Sequence, residues 1–137
     1  LVRSRGLGDV YKRQRDLSLD YPDFLIASSE WFAFVPAKEY FDEPGDHADE
    51  LETSVMMHYH PELVNLDEAG DGNYKKFASQ MLNEKVAWIP RNWQNVSQDT
   101  GIGNPKKASA GKGKKYAEAV VAKYALLFEE LVHKELY

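Results

Sequence analysis

DHADELETSVMMHYHPELV, residues 46–64, is the stretch on which the reading of this chain turns. Asp46 follows the Pro44-Gly45 turn and stands where a helix N-cap would, while Asp49 and Glu50 fall where the positive end of a helix dipole favours acids. A helix is therefore expected to run to about His60, where Pro61 stops it or opens a further short turn. Glu52 is the odd residue within it. Its neighbours three and four positions away include Ala48, Val55 and Met56, so its carboxylate borders the apolar face. A charge there has to be exposed at the edge of that face, paired, or bound to a metal, because an isolated buried charge is very costly. His47 precedes the helix, so a fixed helical angle to Glu52 is not assumed. A histidine so placed serves as a general acid/base, as a ligand, or as an ordinary surface or capping residue. His58 and His60 fall on different faces and His133 lies near the C-terminus; all three read as structural or solvated.

Outward from this stretch the chain alternates apolar runs with helical patterns. Upstream, Arg15-Asp16-Leu17-Ser18-Leu19 reads as a helix end closed by the Tyr21-Pro22 turn. Phe24-Leu25-Ile26-Ala27-Ser28 reads as a short buried parallel strand. Residues 31–35 continue a sheet or line a pocket, and periodicity does not choose between the two; residues 36–45 form a loop. Downstream, residues 65–73 form a polar connector and residues 74–83 a second short helix. Val86-Ala87-Trp88-Ile89 is a second buried-strand candidate closed by Pro90, and a long irregular stretch follows to Lys107. Ser109 is a candidate cap for a last helix, whose apolar residues Ala117, Val120, Val121, Tyr124, Leu127, Phe128 and Leu131 step by three and four into one buried stripe. Helices alternating with short buried strands indicate an α/β layered fold.

Residues 1–14 stand apart from this pattern. Ser4 to Gln14 back-translates without a mismatch into a string that resembles the adapter of transposase-based sequencing libraries, so residues 1–14 are expected to be an artefact without order, and the domain to occupy residues 15–137. Setting them aside lowers Lys+Arg from 17 to 13 and Asp+Glu from 22 to 21, leaving a net charge of −8. A chain that acidic is a poor binder of nucleic-acid backbones, which need clustered cations, and small-molecule chemistry is favoured. No run approaches the length of a membrane span, and a cytoplasmic protein is expected. With no cysteine in the sequence, disulfides and thiolate metal sites are excluded, and a metal has to be held by His, Asp and Glu.

Three ordered motifs resemble the creatininase (creatinine amidohydrolase) family. His47-Ala48, Glu52-Thr53-Ser54, Val55-Met56-Met57 and Pro61-Glu62-Leu63-Val64 match its His-Ala-Gly-x-x-Glu-Thr-Ser signature and the apolar and Pro-x-Leu-Val residues after it. Thr100-Gly101-Ile102-Gly103-Asn104-Pro105 resembles its Thr-Gly-x-x-Gly-x-Pro element, and Ala110-Gly111-Lys112-Gly113 its Ala-x-x-Gly. The resemblance covers residues 15–137. It implies a three-layer α/β/α fold with a mostly parallel sheet, of which the N-terminal half is missing here. It also implies a homo-oligomeric parent and two divalent ions, zinc and/or manganese. His47 is implied as the catalytic histidine that shuttles a proton in amide hydrolysis, and Glu52 as a metal ligand or a residue just behind the ligands. The implied reaction is attack of a metal-activated water on a linear or cyclic amide. Asp49 departs from the signature, standing where the family has glycine and adding charge where the backbone approaches a ligand. The early Glu-x-His and Asp ligands and the central His-Gly-Gly-Asn element have no counterpart in residues 15–137, so this piece is expected to be inactive alone.

A second reading keeps the motifs as structure within a non-catalytic α/β module that binds small molecules or partners. Under the amidohydrolase reading, Trp31, Trp88 and Trp93 are candidates to wall a flat ligand but read as core first. Gly101-Ile102-Gly103 and the lysines of residues 106–115 fit no phosphate-loop motif, and the lysines read as a solvated helix entry.

Overall fold

The computed structural model describes residues 6–133 and divides into two units, Leu1–Trp31 and Phe32–Tyr137. In the first unit α1 (Gly6–Asp20) ends where Tyr21 N donates to Leu17 O at 2.8 Å, one residue before Pro22. The Gln14 side chain ties the following segment to the helix: Nε2 donates to Ile26 O at 2.7 Å, and Ser28 Oγ donates to Gln14 Oε1 at 3.1 Å. Residues 6–14 are therefore helical where no order is expected from the sequence, and residues 1–5 lie outside the described residues. Once residues 15–20 are helical, each residue added in front gains a hydrogen bond for one more fixed pair of dihedrals, and residues 9–14 contain no glycine or proline to stop it.

The second unit is built on α2 (Glu50–Tyr59) packed against α5 (Ala110–His133), with the short helices α3 (Gln80–Asn83) and α4 (Trp93–Val96) in the loops between them. Tight 3₁₀ turns at Ala37–Glu39, Pro61–Leu63 and Pro105–Lys107 bend the connections. Gly113 lets the two long helices reach backbone contact, since a Cβ placed on it would lie 1.9 Å from Ser54 O. Ser54, fully buried, also accepts Ser109 N on its Oγ at 3.1 Å. Ser109 Oγ in turn accepts Lys112 N at 3.3 Å, the cap that its position predicts.

Beside this contact lies the core of Phe41, Leu51, Ile102, Tyr116, Ala117 and Val120. The Tyr116 ring meets Phe41 and Tyr40 edge-on at 5.2 and 5.3 Å, and its hydroxyl donates to Phe32 O and Val35 O at 3.0 and 3.3 Å. Ion pairs hold the loop ahead of α2 to the start of α5. Glu50, with no exposed surface, accepts Glu43 N at 2.7 Å and pairs with Lys112, which also pairs with Asp42 at 2.8 Å. Lys107 pairs with Glu43 at 2.6 Å. Lys107 and Lys112 are thus ion-paired, Lys107 while about half of its side chain stays exposed. The Asp42 partner and then Glu50 hold the Lys112 ammonium above its usual range, and Lys112 holds the Asp42 carboxyl below its own.

Two expectations are corrected here. No strand ladder forms among the described residues; extended pairing is limited to single antiparallel bridges, His47 with Ile102 and Tyr74 with Ser97. Residues 24–28 and 86–89 are not strands, and Phe24, Leu25, Val86 and Trp88 are all more than half exposed. An apolar run becomes a buried strand only when a second extended segment pairs with its edge, and neither run has one among the described residues. The mostly parallel sheet is therefore absent from them. The stripe on α5 is likewise buried only at Ala117 and Val120, with Val121 and Phe128 exposed. The ten residues of α2 make a helix of about 15 Å, too short to cover the 24 residues and about 36 Å of α5. Tyr124, further along, stacks on Phe34 at 4.2 Å instead. No helix among the described residues is long and apolar enough to cross a membrane.

Candidate active site

The site begins with a glycine. A Cβ on Gly45 would lie 2.5 Å from Ile102 O and 2.7 Å from Gly103 Cα, so only glycine lets the loop before α2 lie flat on residues 102–103. Asp46 N and His47 N then both donate to Ile102 O, at 2.7 and 3.1 Å, and Ile102 N returns a bond to His47 O at 2.8 Å. Ile102 is buried at 3% exposure, so this bridge is anchored in the core. The His-Ala and Thr-Gly-Ile-Gly motifs, some fifty residues apart, meet in it, just as Ser54 and Gly113 join the first motif to the third.

Asp49, not Asp46, caps α2. Its carboxylate accepts Glu52 N at 2.8 Å and also Gly45 N, and the residue is 3% exposed. The charge that the sequence reading places near a ligand is therefore consumed by the helix start. Cap position follows the backbone: Asp46 is held in the bridge to Ile102, and the helix opens only after Ala48 turns through the left-handed region at φ 49°.

Glu52 reaches back over that turn. Its Oε2 accepts Ala48 N at 2.7 Å and lies 3.6 Å from Nδ1 of His47. The His47 ring also meets Trp93, centroid to centroid at 5.1 Å with the planes tilted by 53°. The two residues singled out from the sequence are thus brought together at the head of α2, each roughly half-exposed. Trp93 joins them from the irregular stretch, a role that spacing does not announce because α4 is only four residues long.

Ala48 and Glu52 also form part of the wall of a cleft of about 440 Å³ with Met56, Leu66, Asp99 and Gly101. Its lining includes Glu52 rather than the His47 ring, which touches the cleft through that carboxylate. Asp99 is turned toward its own loop, accepting Gly101 N at 3.0 Å and Ser97 Oγ at 3.2 Å. Of the other tryptophans, Trp88 is 76% exposed and so is not core in this chain. His60 pairs with Glu62 at 3.2 Å and His58 lies against Tyr59, both away from this site.

The donor set does not make a metal centre by itself. Among the described residues no three His, Asp or Glu side chains gather where one ion would reach them, and His47 with Glu52 offers two donors where catalytic divalent sites take three or more. What the pair can do unaided is hold and orient a proton on an imidazole beside a carboxylate.

The sequence profile described as "Creatininase: Creatinine amidohydrolase" matches residues 9–128. A crystal structure of a protein provisionally named creatinine amidohydrolase, from Bacteroides fragilis, is 56% identical, with a TM-score of 0.87 over 97% of this chain and 53% of that one. The chain therefore spans about half the length of the solved structure it matches, and shares that protein's fold over this span. No curated protein matches the chain.

Proposed function

The chain belongs to the creatininase family, and from that premise we propose that the protein it represents is an amidohydrolase cleaving a C–N bond of a linear or cyclic amide. The observation that carries the proposal is the contact of His47 with Glu52 at 3.6 Å, at the edge of a cleft large enough for a small substrate. His47 is the proton carrier. Its Nδ1 faces the carboxylate, which leaves Nε2 to take a proton from the attacking water and return it to the departing nitrogen. Glu52 places a carboxylate 3.6 Å from Nδ1, facing the positive charge the ring carries while it holds the proton, the place a carboxylate takes beside a catalytic histidine.

The proposal extends to two divalent ions, zinc or manganese, held mainly by residues outside this sequence, so that this piece is inactive alone. The two donors available here are too few to derive any step through them. A non-catalytic module remains the second reading because Glu52 already has a structural task, closing the turn at Ala48.

The test is His47→Ala in the protein expressed from the completed reading frame and supplied with zinc or manganese, assayed on creatinine and on small linear amides. General acid/base catalysis is worth about 10²–10⁴ in rate. Turnover is expected to fall by that factor with an unchanged melting temperature. Turnover equal to the parent protein would remove His47 from the mechanism and favour the binding module.

A further inference from the structure

We infer that Arg91 and Trp93 form a brace that holds the ring of His47 against Glu52, which makes Trp93 a positioning residue for the proton transfer proposed above. The inference rests on that reading for its catalytic consequence, but not for its geometry. Arg91 and Trp93 stand two residues apart and engage two consecutive residues, Asp46 and His47. Arg91 Nη2 donates to Asp46 Oδ2 at 2.6 Å, while Trp93 packs on the imidazole at 5.1 Å. The guanidinium carbon lies 5.4 Å from the centre of the Trp93 ring, so the two arms of the brace also hold each other.

His47 needs such a brace. Its backbone is pinned by Ile102, but that leaves the side-chain torsions open, and 45% of the side chain is exposed. At 3.6 Å the contact with Glu52 is longer than a hydrogen bond, so the carboxylate draws the ring without fixing it. The indole packed on the ring at 5.1 Å blocks the rotamers that would sweep through it. The brace is anchored in turn, because Val96 O at the end of α4 accepts Lys75 N at 2.8 Å and Ser97 bridges Tyr74. A misplaced catalytic group costs rate steeply even when its chemistry is intact.

The chain labelled with ¹⁵N-histidine tests the geometry through the ring resonances of its four histidines. Trp93→Leu is expected to move the ring signals of His47, by loss of the indole ring current, and to leave those of His58, His60 and His133 in place. Trp93→Phe is expected to restore most of the shift. A His47 ring spectrum unchanged in Trp93→Leu overturns the brace. Arg91→Met keeps the indole and frees it, and is expected to displace the same signals by less; it serves if the leucine variant does not fold, and unmoved signals there count equally against the inference.

In the completed protein, Trp93→Leu is expected to lower kcat about tenfold while KM stays within about twofold, with Trp93→Phe recovering most of the loss. A rise in KM at constant kcat would make Trp93 a substrate contact and overturn the positioning role. Full turnover in His47→Ala would sink the hydrolase mechanism but leave the resonance result standing, so the two failures are distinguishable.

Discussion

Oε2 of Glu52 lies 3.6 Å from Nδ1 of His47 while accepting the amide of Ala48 at 2.7 Å, so one oxygen serves both the helix start and the histidine. Glu52→Gln separates the two tasks. The amide oxygen of Gln still accepts Ala48 N–H, so stability is expected to change by less than about 0.5 kcal/mol. The charge beside His47 is gone, and turnover of the completed protein is expected to fall at least about tenfold. Glu52→Ala should add a loss of about 1 kcal/mol in urea denaturation, comparable to losing a helix cap. Wild-type turnover in Glu52→Gln would reduce the residue to its cap.

Asp49 offers the converse case. Replacing it with the glycine usual in the family signature removes the acceptor for Glu52 N and Gly45 N from a residue that is 3% exposed. Asp49→Gly is expected to cost about 1–2 kcal/mol in denaturant titration, since loss of the cap is compounded by an unpaired Gly45 amide. The specific activity of the folded fraction should be unaltered, and a lowered one would return Asp49 to the chemistry.

Two glycines on α5 should respond oppositely to alanine. Intrinsic helix propensity favours alanine by about 1 kcal/mol at both. Around Gly111 nothing lies within 4 Å of the added Cβ, and Gly111→Ala is expected to stabilise by about 0.5–1 kcal/mol. At Gly113 the Cβ would meet Ser54 O at 1.9 Å, and α5 must move off α2, at a cost of about 2–3 kcal/mol. Thermal melts of the two single variants check the pair; equal shifts would show that the helices do not touch there.

Stability should fall on the alkaline side. Burial chiefly, with Asp49 and Tyr40 nearby, holds the Tyr116 phenol above its ordinary 10.0, and Asp42 and then Glu50 hold the Lys112 ammonium above 10.5. In both cases the folded state keeps its proton longer than the unfolded chain. The contribution of each is therefore complete below its ordinary value and is lost as pH rises through its folded one. Denaturation midpoints followed from pH 8 upward are expected to be level and then to decline above about pH 10. Tyr116→Phe should make that decline shallower while losing about 1 kcal/mol at neutral pH, because Phe32 O and Val35 O lose their donor. A decline equally steep in Tyr116→Phe and in Lys112→Met would assign it to other groups.

What the sequence by itself determined is local. Ser109 caps α5 where its position predicts, and Pro61 closes α2 into a 3₁₀ turn. The three motifs carry the family and single out His47 and Glu52, because those signals are written within a few residues and need no distant partner. The α2 cap is Asp49, three residues beyond the Asp46 that the local sequence favours, since the bond that occupies Asp46 comes from Ile102, far along the chain. Residues 74–83 shrink to a helix of four for the same reason: Tyr74 is taken by its bridge to Ser97.

Tertiary structure alone decided the rest. A strand exists only through pairing, so the apolar runs at residues 24–28 and 86–89 are strands or not according to what lies beside them. The buried length of α5 was set by the shorter α2, and the fate of Glu50 and Lys112 by their meeting across sixty-two positions. Trp93 became part of the site through a loop closure that its own neighbourhood does not encode. Caps and periodicity act between residues a turn apart, whereas pairing, coverage and loop closure join groups whose separation along the chain leaves no mark on either one.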